Sequence, residues 1–351
     1  MSDPVLVSGM MKLVLVFAAA ACLWAGTDPK AAAEADKALT LAHEGKYEPA
    51  IDHYRVALAL DPHVPGIDLN LGLAYFKLGR LPEAAASFER AVKADPSGFQ
   101  PRVLLGMSYF GTRQFDLAAV HLKLASDRQP DNTELRYKLA QSYMQTDRYQ
   151  EAIPEFRFLL AKDPDSAPVH MLLGQVLDAA DRMEQATAEF EAAVKSGPRE
   201  PEVHFGLGYL YWKQKRYQEA QREFQLELAN QPQHGATLAY LGDTEMRAGD
   251  NQPAAGHLRQ ALKLDPQSRL AHLDLGIVLA EAGGAAEAEQ HLREAIRLDA
   301  SRPDAHYRLG KLLRSLGRDQ DAESEFAKVK ELGNEQPPPP LLTLPGRGQD
   351  H

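Results

Sequence analysis

The chain has 351 residues, a formal net charge of −10 at pH 7 and one cysteine, Cys22. A single cysteine excludes a disulfide framework or a Cys-based metal site within the chain. An acidic balance argues against non-specific nucleic-acid binding, because neutralising phosphates takes clustered Lys and Arg.

Residues 1–30 come first. Lys12 precedes Leu13–Ala25, thirteen apolar residues that run into small ones. One positive charge before such a run matches a secretory signal peptide, and the run is too short to span a bilayer comfortably. Residues 1–25 are therefore read as a signal peptide, with Met10 or Met11 as an alternative start. Ala19-Ala20-Ala21-Cys22 resembles a bacterial lipoprotein box, although Ala19 stands where leucine is usual. Lipidation of Cys22 and ordinary cleavage near Ala21 or Ala25 are the two alternatives. Both lead outside the cytoplasm, to a periplasm or cell envelope. The membrane is then reached only through the signal segment or a lipid on Cys22.

From Ala31 to Gly333 one pattern recurs every 34 residues without insertion or loss. The repeats are 31–64, 65–98, 99–132, 133–166, 167–200, 201–234, 235–268, 269–302 and 303–333. The eighth place holds Ala38, Gly72, Gly106, Ala140, Gly174, Gly208, Gly242, Gly276 and Gly310. The twentieth is alanine throughout, from Ala50 to Ala322, and the thirty-second is proline from Pro62 to Pro266. A fixed period in this range signals a solenoid, in which each repeat buries its apolar face against its neighbours.

The second repeat shows the logic. Leu69, Leu71, Leu73, Tyr75 and Phe76 fall in its first half, and Ala84, Phe88 and Ala91 follow at helical spacing. Leu78-Gly79-Arg80 separates the halves, Pro82 suits the first turn of a second helix, and Asp95-Pro96 ends it. Gly72 and Ala84 lack bulk where the two helices must approach.

These residues resemble the tetratricopeptide repeat family. Leucine fills the seventh place from Leu71 to Leu309, tyrosine recurs at the eleventh (Tyr75, Tyr109, Tyr143, Tyr211), and Phe, Tyr or Leu fills the twenty-fourth. The resemblance implies an all-α fold, a right-handed superhelical solenoid of nine tandem helix-turn-helix units with a concave groove. In that family the second, fifth, ninth, twelfth and thirteenth places of the first helix face the groove. Carried over, this nominates Phe76, Met107, Phe110, Tyr137, Met144, Met171, Phe205, Tyr209, Trp212 and Met246, with Asp178, Lys213, Asp243 and Arg247 beside them. Aromatic and methionine side chains offer adaptable contact area for apolar or extended segments. Chaperone-tail receptors of the family hold a carboxylate with Lys and Asn at the fifth and ninth places. Here Leu69, Leu73, Val103 and Met107 stand in those places and disfavour that role.

Two departures stand out. Glu227 and Glu245 occupy core-like places, where each must be paired or tilted to solvent, since a lone buried carboxylate is costly. His170, His204, His272 and His306 all fill the fourth place of a repeat. Helices pack about 8–10 Å apart, whereas zinc ligands sit about 2 Å from the ion. Histidines of successive repeats therefore cannot share a metal, and a packing role is expected. No nucleotide loop, nucleophile elbow or metalloprotease motif occurs. No metal, cofactor or catalytic set is expected, and the carboxylates read as scattered over outer faces.

Residues 334–351 differ. Gln336-Pro337-Pro338-Pro339-Pro340-Leu341-Leu342-Thr343-Leu344-Pro345 cannot be helical and reads as a proline-rich disordered tail. Its leucines could fold back on the ninth repeat or insert into a partner. The sequence thus points to a non-catalytic interaction scaffold, exported to the envelope, holding a protein or peptide in its groove. The alternative is an accessory subunit or cryptic enzyme of an envelope polysaccharide or secretion assembly. That would need converging polar groups, which only repeats seven to nine approach.

Overall fold

The computed structural model of the chain describes residues 27–333 and Leu341. The expected signal segment and Cys22 lie outside the described residues. Among these, eighteen helices and no strand occur. In the first four repeats they are α1 (Pro29–His43) and α2 (Tyr47–Leu60), α3 (Ile67–Lys77) and α4 (Leu81–Ala94), α5 (Phe99–Gly111) and α6 (Phe115–Ser126), α7 (Thr133–Gln145) and α8 (Tyr149–Lys162). The fifth to seventh contain α9 (Ala167–Ala179) and α10 (Met183–Ser196), α11 (Val203–Lys213) and α12 (Tyr217–Asn230), α13 (Gly235–Ala248) and α14 (Asn251–Leu264). The last two contain α15 (Arg269–Glu281) and α16 (Ala285–Leu298), α17 (Pro303–Ser315) and α18 (Asp319–Leu332).

The chain divides into two compact bodies, residues 1–155 and 156–351. Within the first, each helix from α1 to α7 packs on its neighbours in sequence, and α5 also touches α7. Within the second, the same order runs from α9 to α18, and α11, α13, α15 and α17 meet in succession. The first helix of a repeat is thus packed on several sides. Nine consecutive residues of α11, Val203–Tyr211, are buried, whereas α12 buries only the stripe Ala220, Phe224 and Glu227. A one-stripe helix against a helix buried almost all round follows from which helices have two layers of neighbours.

The nine alanines of the twentieth place are all fully buried. Opposite them, the eighth place and the twenty-fourth fit as bump and hollow. A Cβ on Gly208 would lie 2.7 Å from Phe224 Cε1, one on Gly174 2.6 Å from Phe190 Cδ2, and one on Gly72 2.5 Å from Phe88 Cε1. No methyl group fits at such distances, so glycine there sets how closely the paired helices approach.

The turn between paired helices is left-handed in every repeat. Its fifteenth place has positive φ whether it is glycine, as at Gly79 (φ 73°), or not, as at Arg113 (60°), Asp147 (56°), Asp181 (58°) and Lys215 (61°).

The fourth-place histidines tie the two helices of their own repeat together. His170 Nδ1 meets Glu189 at 2.6 Å, His204 meets Glu223 at 2.6 Å, and His306 meets Glu325 at 2.6 Å. His170 Nε2 and His204 Nε2 reach the carbonyls of Pro164 (2.9 Å) and Pro198 (3.0 Å) at the end of the preceding repeat. Arg136 makes the same bridge to Glu155 and to the Pro130 carbonyl. The eighth repeat lacks the acid: His272 Nδ1 faces His291 Nδ1 at 2.9 Å. Among the described residues, no three or more His, Cys, Asp or Glu side chains are placed to hold a metal ion.

Candidate functional site

Repeats six and seven build an aromatic cluster from the inward face of α11. Four residues on, one helical turn brings Phe205 under Tyr209, and Trp212 stacks on Tyr209 at 5.7 Å. From the next repeat, Tyr240 of α13 meets Phe205 at 6.0 Å, Tyr209 at 5.2 Å and Trp212 at 5.1 Å, edge-on to the last two. Edge-to-face contact sets the positive rim of one ring on the negative face of another. Burial pushes the Tyr209 and Tyr240 hydroxyls well above the ordinary phenol range.

Beside the cluster lies a cavity of 1370 Å³ lined by residues of repeats six to nine, among them Trp212, Tyr240, Met246, Arg247, Asp274, Ile277 and Arg302. The polar groups at its wall are organised in two sets. Asp243 Oδ2 accepts from Trp212 Nε1 and, at 2.7 Å, from Arg247 Nε. Asp304 grips both terminal nitrogens of Arg269, one at 3.2 Å, and Arg302 lies 3.4 Å from it. Arg269 Nε and Arg302 Nε are buried with no acceptor among the described residues.

Asp274 is 1% exposed, and its carboxyl group lies close enough to that of Asp243 for the two to interact electrostatically. Burial first, and the Asp243 charge second, push its carboxyl well above the usual carboxylate range. Asp243 Oδ1 and Asp274 Oδ2 are buried, and neither has a hydrogen-bond partner among the described residues. Carboxyl groups so placed cannot readily ionise together, so burial and the neighbouring charge favour the protonated form of Asp274.

A third polar group lies on α9 and α11. Asp178 is 4% exposed; its Oδ1 accepts from Lys213 Nζ at 2.6 Å and its Oδ2 from the Leu341 backbone N–H at 2.9 Å.

The sequence-nominated residues divide by body. In the first, Phe76 packs edge-on against Phe88 at 6.3 Å, Phe110 against Phe115 at 5.4 Å, and the Lys138 ammonium lies 4.5 Å over the Phe110 ring and 5.8 Å over Tyr137. Met107 and Met144 are buried. In the second body, Phe205, Tyr209 and Trp212 come together, and Met246 joins Trp212 at the cavity. Phe205 and Tyr209 have 1% and 0% of their surface exposed, so they form a packed floor beneath Trp212. Phe76, Phe110, Tyr137, Met171, Trp212 and Met246 keep part of their surface open.

The reading of the carboxylates as scattered is corrected here: Asp243 and Asp274 converge. The available signal was an acid at Asp274 in the apolar run Leu273–Leu279 of a first helix. Tyr240 and the Arg269–Asp304 pair were not nominated either.

Profiles described as tetratricopeptide repeat match residues 109–176 and 145–204, residues 35–99, 241–303 and 279–337, and residues 201–233. No curated protein matches the chain in sequence. Among solved structures, the Cut9–Hcn1 hetero-tetramer of the APC/C is similar over 80% of this chain and 55% of its own, at 17% identity and a TM-score of 0.53. PilF of Pseudomonas aeruginosa is similar over 59% of this chain and 93% of its own, at 20% identity and a TM-score of 0.51. PilW, a type IV pilus biogenesis factor, covers 57% of this chain and 92% of its own, at 20% identity and a TM-score of 0.50. At such identities these likenesses speak to fold alone.

Proposed function

Because the chain belongs to the tetratricopeptide repeat family, a protein-interaction fold, we propose that it is a non-catalytic scaffold exported to the cell envelope, holding an extended protein segment along the first helices of repeats five to nine. The observation that carries this reading is the half-open Trp212 over a packed aromatic floor, beside a 1370 Å³ cavity lined by both apolar and charged side chains. The lining mixes apolar and aromatic side chains with many charged and polar ones, so it offers a polypeptide both apolar contact and hydrogen-bond partners. Aromatic anchors commonly dominate interface energies.

The Asp243–Asp274 pair is the feature that a catalytic reading would use. Asp243 is anchored by Trp212 and Arg247, and burial beside it raises the Asp274 carboxyl above the usual carboxylate range. That arrangement orders the wall of the cleft.

The test is capture of envelope proteins on the purified chain, followed by the same capture with Trp212→Ala combined with Met246→Ala. A protein retained by the wild type and lost by the double variant, with circular dichroism unchanged, is the expected result. Equal retention by both would remove this face from the site.

A further inference from the structure

The Asp178 carboxylate is shared between the repeat array and the C-terminal tail. Lys213 takes one oxygen at 2.6 Å, and the Leu341 N–H, 163 residues further along the chain, takes the other at 2.9 Å. Leu341 is completely buried. Remove its N–H and Asp178 Oδ2 becomes a buried carboxylate oxygen with no donor among the described residues, a costly arrangement. The Lys213 ammonium already serves Oδ1 and lies 5.8 Å over the Tyr209 ring, on the nominated face.

The sequence explains why the bond falls on Leu341. Pro337 to Pro340 have no N–H to give, so Leu341 is the first main-chain donor after Gln336. The segment 336–346 also carries no charged side chain. It therefore brings one amide donor and apolar leucine to a site whose own charges, Asp178 and Lys213, already balance. A proline-fixed backbone has little conformational freedom left to lose on docking.

We propose that Asp178 and Lys213 form a docking site for an extended, uncharged, proline-preceded leucine, and that this chain's own segment 337–345 is its resident occupant. The self-docking stands on the Leu341 geometry. Its consequence, that a partner of the same chemistry must displace the tail, rests on the groove reading above. Leu341 lies eight residues beyond Gly333, a tether of at most about 26–29 Å. A tether that short holds its segment at an effective concentration on the order of 1 mM.

The probe is a capped, fluorescein-labelled peptide of residues 336–346, titrated by anisotropy against the full-length chain and its Leu341→Asp variant. With the tail expelled, the variant should bind the peptide about tenfold tighter or more, the competition that a millimolar tether imposes on a weak peptide. A peptide carrying aspartate in place of its first leucine should bind neither chain. Amide exchange at Leu341 in the wild type should be slowed about tenfold or more, because docking must open before exchange. Asp178→Asn combined with Lys213→Gln removes both charges together, avoiding a lone buried ammonium, and should free the Leu341 amide. Equal peptide affinity for wild type and Leu341→Asp, with unprotected exchange at Leu341, would overturn the self-docking. If that occurs while an envelope protein is still captured in a Trp212-dependent way, the groove reading survives alone. If the peptide and exchange results hold and no envelope protein is captured, self-docking survives alone.

Discussion

Replacing Glu227 by alanine should unfasten the start of α11, even though alanine is what most other repeats carry at that place. Glu227 is completely buried, and its carboxylate accepts three hydrogen bonds. These come from the Glu202 N–H at 3.0 Å, the Phe205 N–H at 3.1 Å and Gln231 Nε2 at 2.7 Å. Two of the donors belong to the first turn of α11, whose N-cap residue, Glu202, has φ 65°. A carboxylate there satisfies orphan N–H groups and lies at the positive end of the helix dipole. Hydrogen bonds to a charged group contribute about 1.5–3 kcal/mol each, and the first turn can partly rehydrate, so Glu227→Ala should cost about 3 kcal/mol locally. At about 1.4 kcal/mol per factor of ten, that is about a hundredfold faster amide exchange through α11. Glu227→Gln keeps one acceptor oxygen and should lose roughly half as much. The assay is residue-resolved hydrogen exchange, with Phe205 as reporter. If Glu227→Ala leaves Phe205 protection within about threefold of wild type, the capping argument fails.

Gly208→Leu should force α11 and α12 apart at Phe224, with overpacking costing roughly 1–3 kcal/mol or more. The loss of exchange protection should be confined at first to repeat six, and uniform loss across all repeats would contradict near-neighbour stabilisation. Asp274→Asn should raise the melting temperature near neutral pH, because its amide donates to Asp243 without a proton to lose. The unfolded chain releases the Asp274 proton while the folded chain keeps it, so wild-type stability falls as pH rises above about 3.9, and the variant's advantage should vanish toward that pH. His204, raised by its hydrogen bond to Glu223 against the opposing effect of burial, contributes stability that is present below about pH 6.5 and lost as pH rises through its folded value. His291, lowered by burial and by His272, has the opposite sign, so exchange protection in repeat eight should weaken on acidification while that in repeat six strengthens. N-terminal analysis of the protein recovered from fractionated cells should find the run after Lys12 removed, and Cys22→Ser should release the protein from membranes if a lipid holds it there. An intact leader on a cytosolic protein would refute export.

The all-α repeat architecture was legible before any coordinates. A strict period carries its own steric code: Gly208 must face Phe224 because helix pairing leaves no room for a Cβ, and nine invariant alanines mark the closest contacts. Even the left-handed turn could be placed by the glycines at 45, 79, 249, 283 and 317, although Arg113, Asp147, Asp181 and Lys215 adopt it without that signal. The site was legible only in outline. Periodicity says which face a residue shares, and Phe205, Tyr209 and Trp212 meet along one face of α11. How much of each ring the next repeat covers depends on Tyr240, which the period alone does not place against them. Charge partners were decided by tertiary structure. Asp243 finds Asp274 from the following repeat, Glu227 finds two amides of α11, and Asp178 finds an N–H 163 residues away. Apolar burial is non-directional and additive, so a repeating pattern predicts it. A buried carboxylate needs particular donors at particular distances, and those exist only once separate helices have been packed.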